Sequence, residues 1–431
     1  MPTGPTPTAI KTAPETPGPG ALNVLLADKF DAAGLDDLRS HGCTVQFDPE
    51  LAGESLQAAI LRHDPDVLVV RSTTVPAAAL ENALRLSLIV RAGAGYDNID
   101  IAAASARGIF VANCPGRNSV AVAELAWALI LACDRRVPDQ TADLRRGTWN
   151  KKEYAKAAGL HGRTLGVVGL GRIGREIASR GQAFGMKVIA WSRSLTETEA
   201  HRLGIGYCAN LINLAKVADV VSVNVAATPE TVRLIDEQFC AAMKPGTTLV
   251  NTSRGSVVDE DALTTAIRDK GVRAGLDVYA TEPATGTGTF EDPIVREPGV
   301  YGTHHVGAST DQAQHAISTE VVRIIDTYRT DGTVPNCVNR ALATTATNIL
   351  VVRHLNHPGV LAHVFYTLGQ AGINVEEMEN VIYDGAKAAC ARIQLDGAPL
   401  PEHLTAIGAN DDVLSVDLTT ITREPPAHGH P

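Results

Sequence analysis

The hexapeptide Gly169-Leu170-Gly171-Arg172-Ile173-Gly174 stands between the apolar run Leu165-Gly166-Val167-Val168 and a helical pattern from Arg175 to Phe184. Strand, glycine turn and helix in this order admit few architectures. The first glycine permits a tight turn, the second lets an anionic group approach the backbone, and the third lets helix and strand pack closely. The helix N-terminus adds free N–H groups and the positive end of a dipole, so a phosphate site is built from backbone alone. A glycine-rich corner can arise without any ligand. Here a second strand, Met186 to Trp191, follows at the spacing of a βαβ unit, and the pattern implies dinucleotide binding.

The same alternation extends in both directions. From Ala21 to about Cys114, strands at 23–27, 44–47, 67–70, 88–90 and 110–112 alternate with helices at 32–41, 56–63 and 76–83. From Ser119 to His305, strands near 220–224, 248–251, 274–278 and 300–303 follow the glycine turn, with helices such as 260–270 between them. Alternation of this kind predicts parallel sheets covered on both faces. A helix over 308–329 would return the chain to the first domain. After Pro335 the pattern changes to β-α-β-β-α-β, with strands at 347–352, 374–382, 388–395 and 413–421 and helices at 359–371 and 400–409.

The expected fold is α/β: two doubly wound, Rossmann-like parallel-sheet domains and a small ferredoxin-like βαββαβ domain. Its boundaries are 21–118 completed by 309–340, then 119–308, then 347–423. The 431 residues suffice for this. Residues 1–20 are rich in Pro, Thr and Gly, too poor in large apolar side chains to offset ordering entropy, and are expected to be disordered. They lack the features of a targeting segment. Residues 424–431 read as a polar tail.

Composition excludes several roles. A net charge of −10 without a basic stripe argues against nucleic acid or an anionic membrane as a partner. The most apolar stretch, Val120 to Cys133, carries Glu124 and is too short to span a bilayer. The seven cysteines are scattered without a CxxC pair, which suggests no metal site and no disulfide framework and fits the cytoplasm.

Candidate chemistry lies where predicted strands end, the usual ligand edge of open α/β sheets. Arg254 follows the strand 249–251, and a guanidinium there can clamp a carboxylate and polarise the adjacent carbonyl. Glu282 lies just past the strand 274–278, and His305 just past 300–303. A carboxylate beside an imidazole fixes the ring and favours its protonated form, so His305 can exchange a hydroxyl proton. Cation, proton carrier and supporting carboxylate are what hydride transfer to a nicotinamide requires of a protein.

These residues stand in stretches that resemble the D-isomer-specific 2-hydroxyacid dehydrogenases, and within them the members that oxidise 3-phospho-D-glycerate. The stretches are VRSTTV (70–75), RAGAGYDNIDI (91–101), NCPGRNSVAVAELA (113–126), GLGRIGREIA (169–178), NTSRGSVVDEDAL (251–263), GLDVYATEP (275–283) and HVGAST (305–310). The resemblance covers roughly residues 21–340. It implies that Arg254, Glu282 and His305 are catalytic; His304 stands where the family usually has Pro, and His305 lies two residues before Gly307 as the family's histidine does. It implies substrate contacts at Arg71, Ser72, Gly93, Ala94, Gly95 and Asn118, and cofactor contacts at Gly169, Gly171, Arg172, Ile173, Gly174, Ser192, Arg193, Ser253 and Asp277. Arg71, Arg91 and Arg135 are candidates for a substrate phosphate.

Two departures leave alternatives open. Ser192 and Arg193 stand where an NAD site commonly has an acidic residue, which suits a 2′-phosphate, whereas family habit favours NAD; the expected cofactor is NAD or NADP. Asn224-Val225-Ala226-Ala227 replaces a His-x-Pro stretch. The expected reaction is oxidation of 3-phosphoglycerate to 3-phosphohydroxypyruvate, the entry to L-serine synthesis, or alternatively reduction of hydroxypyruvate or glyoxylate.

Residues 347–423 resemble an ACT domain, by Arg353 to Leu361 and Gly372-Ile373-Asn374-Val375. That likeness implies L-serine contacts at His354, Asn356 and Asn374, shared between paired subunits, and hence a homodimer or homotetramer. A module that only dimerises is the alternative.

Overall fold

A computed structural model of the protein describes residues 21–283, 287–341 and 344–421. The segment 1–20 and the tail 424–431 lie outside the described residues. The chain divides into two compact units, one through Asn339 and one from Arg340 onward.

The first unit contains two parallel sheets. Strands β1 (Asn23–Leu26), β2 (Thr44–Phe47), β3 (Val67–Val70), β4 (Leu88–Arg91) and β5 (Phe110–Asn113) assemble in the order β2-β1-β3-β4-β5. Strands β6 (Thr164–Val168), β7 (Lys187–Trp191), β8 (Gly206–Tyr207), β9 (Val220–Val223), β10 (Thr248–Asn251), β11 (Arg273–Leu276) and β12 (Val300–Gly302) form the second, ordered β12-β11-β10-β9-β6-β7-β8. Both are doubly wound, and all their pairings are parallel. Strand order in the second sheet reverses between β6 and β9, and the glycine turn follows β6. That switch point is where an open parallel sheet leaves a crevice for a ligand.

Central strands read as near-continuous apolar runs because helices cover both faces. Val67, Leu68, Val69 and Val70 are all buried, as are Val220 to Val223. Each buried aliphatic side chain contributes roughly 1.5–3 kcal/mol relative to exposure. Helix Ser119–Arg135 packs on helix Arg172–Ala183 and on β10 to β12, and buries Trp127, whose ring stacks on Phe184 at 4.5 Å between centroids. Helix Asp311–Asp331 packs against helix Ala32–Ser40, its Ile317, Val321 and Ile324 entering the core beneath β1 and β3.

Some boundaries differ from expectation, each for a local reason. Helix Arg172–Ala183 begins inside the glycine motif, three residues before Arg175, because Gly171 occupies its N-cap position. Helix Asp311–Asp331 begins after Thr310, whose hydroxyl accepts from the Ala313 amide, and ends at Gly332 with φ +75°. The 76–83 helix shortens to Ala77–Leu80. Helices Val137–Arg145 and Lys151–Tyr154 bury no residues, so they lack the apolar stripe that would announce them.

The second unit is a four-stranded antiparallel sheet. Strands β13 (Asn348–Leu355), β14 (Val375–Ile382), β15 (Ala388–Leu395) and β16 (Val413–Thr420) lie in the order β14-β15-β13-β16. With helices Val360–Gln370 and Pro401–Gly408 the element order is βαββαβ, a ferredoxin-like arrangement. Leu350, Val352, Val364, Leu368 and Ile393 form its core.

Candidate active site

Three loops at the carboxyl ends of β10, β11 and β12 converge on a loop following β4. The β10 loop is organised by Asn251, 1% exposed. Its Oδ1 accepts from the Ser253 amide at 3.0 Å and hydroxyl at 2.7 Å, and its Nδ2 donates to the Arg254 carbonyl at 2.9 Å. This knot projects the Arg254 side chain outward. Ser253, expected at the cofactor, turns its hydroxyl into the knot.

The β11 and β12 loops interlock. Asp277 is 1% exposed and its carboxylate accepts from Thr303 Oγ1 at 2.6 Å, Val306 N at 2.8 Å and Gly307 N at 3.0 Å. Within that turn His305 holds φ +53°, a conformation that side chains adopt at a cost and that the surrounding bonds must impose. Asp277, expected to contact the cofactor, also supports the His305 turn with its carboxylate. His305 Nδ1 meets Glu282 Oε2 at 2.7 Å. Glu282 is itself held by the Tyr279 amide, which donates to its other oxygen at 2.9 Å. Burial pushes the Glu282 carboxyl up, but the hydrogen bonds from His305 and Tyr279 and the nearby His305 and Arg254 charges outweigh it and leave the pKa lowered. Of the two adjacent histidines, His305 is the one paired with this carboxylate.

The Arg254 guanidinium grips Asp97 in the loop after β4, Nε to Oδ2 at 3.0 Å and Nη2 to Oδ1 at 2.9 Å. That loop is shaped to receive an anion. The Gly93 and Ala94 carbonyls are taken by Cys114 N and Asn113 Nδ2, whereas the Ala94 and Gly95 amides have no acceptor among the described residues. A Cβ on Gly95 would stand 2.0 Å from Arg254 Nη2, and one on Gly93 would stand 1.7 Å from Arg91 Nη1. Glycine at both positions lets two guanidiniums press against this backbone.

Arg91 is largely buried, and its Nε has no partner among the described residues. Burial pushes its pKa down to about 10, the charges of Arg254 and Arg71 adding to this and Asp97 opposing. Arg71, likewise lowered by burial, donates to Gln314 Oε1 at 2.7 Å and Ser309 Oγ at 3.3 Å. The amides of Arg71, Ser72 and Thr73 all bond Asp28 Oδ2. Asn118 stands at the N-cap of helix Ser119–Arg135, its Oδ1 buried and without a partner among the described residues. Arg135, at the other end of that helix, is some 25 Å away at ~1.5 Å per residue and joins no part of this cluster within the chain.

The dinucleotide turn passes a direct test of fit. Gly169 holds φ +89°, and a Cβ there would meet the Asn224 carbonyl at 2.6 Å; one on Gly174 would meet the Gly169 carbonyl at 2.1 Å. At Gly171 a Cβ would meet no atom within 4 Å among the described residues, so the backbone between the two constrained glycines faces open space. A pyrophosphate needs that combination. Ile173 is half-buried on the same turn. The Arg172 side chain lies against Gly116 and donates through Nη1 to the Pro115 carbonyl. Ser192 follows β7 and Arg193 is exposed beside it, with Glu230 within range of its charge.

In the second unit the three residues expected to bind an effector are not together. His354 is 2% exposed, with Nδ1 on the Leu355 carbonyl at 2.7 Å and Nε2 near Asn380 Oδ1 at 3.3 Å. Asn356 bonds the Ala386 carbonyl, at the sheet end where Leu355 pairs with Ala388. Asn374 bonds Glu376 beside the opposite end, where Val375 pairs with Leu395.

Sequence reasoning overlooked Asp28, Asp97, Asn251 and Gln314. Each acts through contacts with residues distant in sequence or through backbone atoms, neither of which spacing announces. Among the described residues no cluster of His, Cys, Asp or Glu could hold a metal ion, and no helix is long and apolar enough to cross a membrane.

Comparison with known proteins agrees with this geometry. Residues 127–307 match the family model described as the D-isomer-specific 2-hydroxyacid dehydrogenase, NAD-binding domain. A D-3-phosphoglycerate dehydrogenase from Methanocaldococcus jannaschii is 41% identical over 320 residues, 74% of this chain but only 59% of the relative. A hydroxypyruvate reductase from Thermotoga maritima is 42% identical over 262 residues, 60% of this chain and 83% of the relative. The crystal structure of an NADPH-dependent glyoxylate/hydroxypyruvate reductase from Sinorhizobium meliloti, in complex with NADP and malonate, matches with TM-score 0.64 and 30% identity, over 74% of this chain and 96% of that one. With its glycine turn and strand-end residues set in this fold, the chain belongs to the D-isomer-specific 2-hydroxyacid dehydrogenases, oxidoreductases that work with a nicotinamide dinucleotide.

Proposed function

We propose that the protein oxidises 3-phospho-D-glycerate to 3-phosphohydroxypyruvate with NAD or NADP, the first step toward L-serine. The observation that carries the substrate is the trio Arg71, Arg91 and Arg254 around one anion-receiving loop, with Asp97 offsetting part of their charge. A substrate with a carboxylate alone needs one such cation; a second anionic group accounts for the others.

A nicotinamide dinucleotide whose pyrophosphate is held at the glycine turn would supply the hydride acceptor. Arg254 and the Ala94 and Gly95 amides hold the substrate carboxylate, and Arg71 and Arg91 face the phosphate. His305 Nε2 takes the hydroxyl proton, since Nδ1 is engaged by Glu282. Glu282 holds the ring in place and stabilises the imidazolium that forms. Reversal of the same proton movement serves reduction.

The second unit is read as an ACT-type sensor of L-serine. Asn356 and Asn374 lie at opposite ends of one sheet, so a site using both needs two copies, and a homodimer or homotetramer is the corresponding assembly. Reduction of hydroxypyruvate or glyoxylate is the second reading, favoured by the match to most of the length of the Thermotoga maritima reductase. Initial rates with 3-phosphoglycerate, hydroxypyruvate and glyoxylate, each with both cofactors and with and without L-serine, decide between them. Faster turnover of either unphosphorylated acid would overturn the first reading.

A further inference from the structure

The Arg254 guanidinium reaches across from the loop after β10 to the loop after β4, two loops from different sheets of the same unit. Its five N–H groups are unequally committed. The Nε–Nη2 edge is taken by both oxygens of Asp97, and Nη1 donates backward to the Ser253 carbonyl at 2.8 Å. One N–H each on Nη1 and Nη2 remains, side by side at the tip. Gly95 lies hard against Nη2, so the tip sits at the free Ala94 and Gly95 amides.

We propose that Asp97 is a positioning residue for the reaction: by holding one edge of Arg254 it turns the other edge toward the 93–95 loop, so that a substrate carboxylate enters between guanidinium and backbone amides. A bidentate pair fixes the guanidinium plane as well as its distance, which a single bond or a solvated arginine does not. Asp97 also offsets part of the charge of Arg91 and Arg254, so the empty site does not assemble unopposed cations. The contact is half-exposed on the Asp97 side, with side-chain exposures of 27% for Arg254 and 54% for Asp97, so its contribution to folding is small. Its effect belongs to substrate orientation.

This inference rests on the family's reaction and not on the choice of phosphoglycerate. The test uses the full chain and its D97N, D97A and D97E variants, with 3-phosphoglycerate, hydroxypyruvate and glyoxylate side by side. We expect D97N and D97A to raise KM for every acid turned over by about tenfold or more, because all share the carboxylate beside the reacting carbon. Dinucleotide affinity, read by fluorescence titration without substrate, and Tm should stay near wild type. D97E, which keeps the charge, should recover part of the lost affinity. Unchanged KM in D97N and D97A overturns the proposal. So does a parallel loss of dinucleotide affinity and Tm, or D97E no better than D97A. A wild type that fails on phosphoglycerate alone defeats the substrate assignment and leaves this test intact.

Discussion

His305 occupies a left-handed backbone position that three bonds to the Asp277 carboxylate maintain, and its Nδ1 is committed to Glu282. Its remaining nitrogen, Nε2, has no partner among the described residues. Replacing His305 with Ala should lower turnover by roughly 10²–10⁴-fold, the usual contribution of a positioned proton carrier, while dinucleotide binding stays unchanged. Near-normal turnover would remove His305 from the chemistry. Arg91 permits a sharper test of substrate. As a cation mostly buried beside two others, it costs energy to keep charged unless an anion joins it. Arg91→Met should raise KM for 3-phosphoglycerate by about tenfold or more and change KM for hydroxypyruvate far less. Equal effects on both acids would show that Arg91 does not read the phosphate.

At the scale of elements, the loop carrying Glu282 is supported from below by helix Glu260–Lys270. Glu260 accepts from the Ala280 amide at 2.8 Å, and Asp292, which takes the Thr281 hydroxyl at 2.7 Å, lies beside it with Asp261 nearby. Burial first, and then the neighbouring acids, raise the Glu260 carboxyl to about 7. The unfolded chain releases that proton at the ordinary glutamate value, so the folded state binds more protons in between. Stability therefore falls as pH rises from the ordinary glutamate range to about 7, and this contribution is flat above. Glu260→Gln should abolish that decline, as denaturant unfolding at a series of pH values would reveal. A variant with the wild-type slope would assign the pH dependence elsewhere.

For the whole molecule, the proposed L-serine site, using both Asn356 and Asn374, needs more than one copy. Asn356 and Asn374 are separated by the length of a strand pair, seven residues or ~24 Å at ~3.4 Å per residue. Sedimentation should report a dimer or tetramer, and L-serine should inhibit with a concentration dependence that Asn374→Ala weakens. A monomer that L-serine still inhibits would refute the shared site. The half-buried and buried histidines of this unit differ in availability. His354, inside the sheet and bonded at both nitrogens, has to change its contacts before it can touch an effector.

The doubly wound architecture was legible in the chain because buried parallel strands must be continuous apolar runs and a phosphate turn must place glycine where a Cβ would collide. Gly169 and Gly174 meet those demands through neighbours only a few residues away or one strand over. Arg254, Glu282 and His305 were legible because ligand sites gather at strand ends, and the amino-acid order marks where strands end. Tertiary structure alone decided how these residues are held: Asp97 on Arg254, Asp277 beneath His305, Asn251 inside its own turn, Gln314 on Arg71. It also gave the Ser253 hydroxyl, the Asp277 carboxylate and the Arg172 guanidinium partners within the protein. The physical reason is that hydrogen-bond partners are chosen by distance in space. A carboxylate 157 positions away from Arg254 leaves no trace in the local pattern around it.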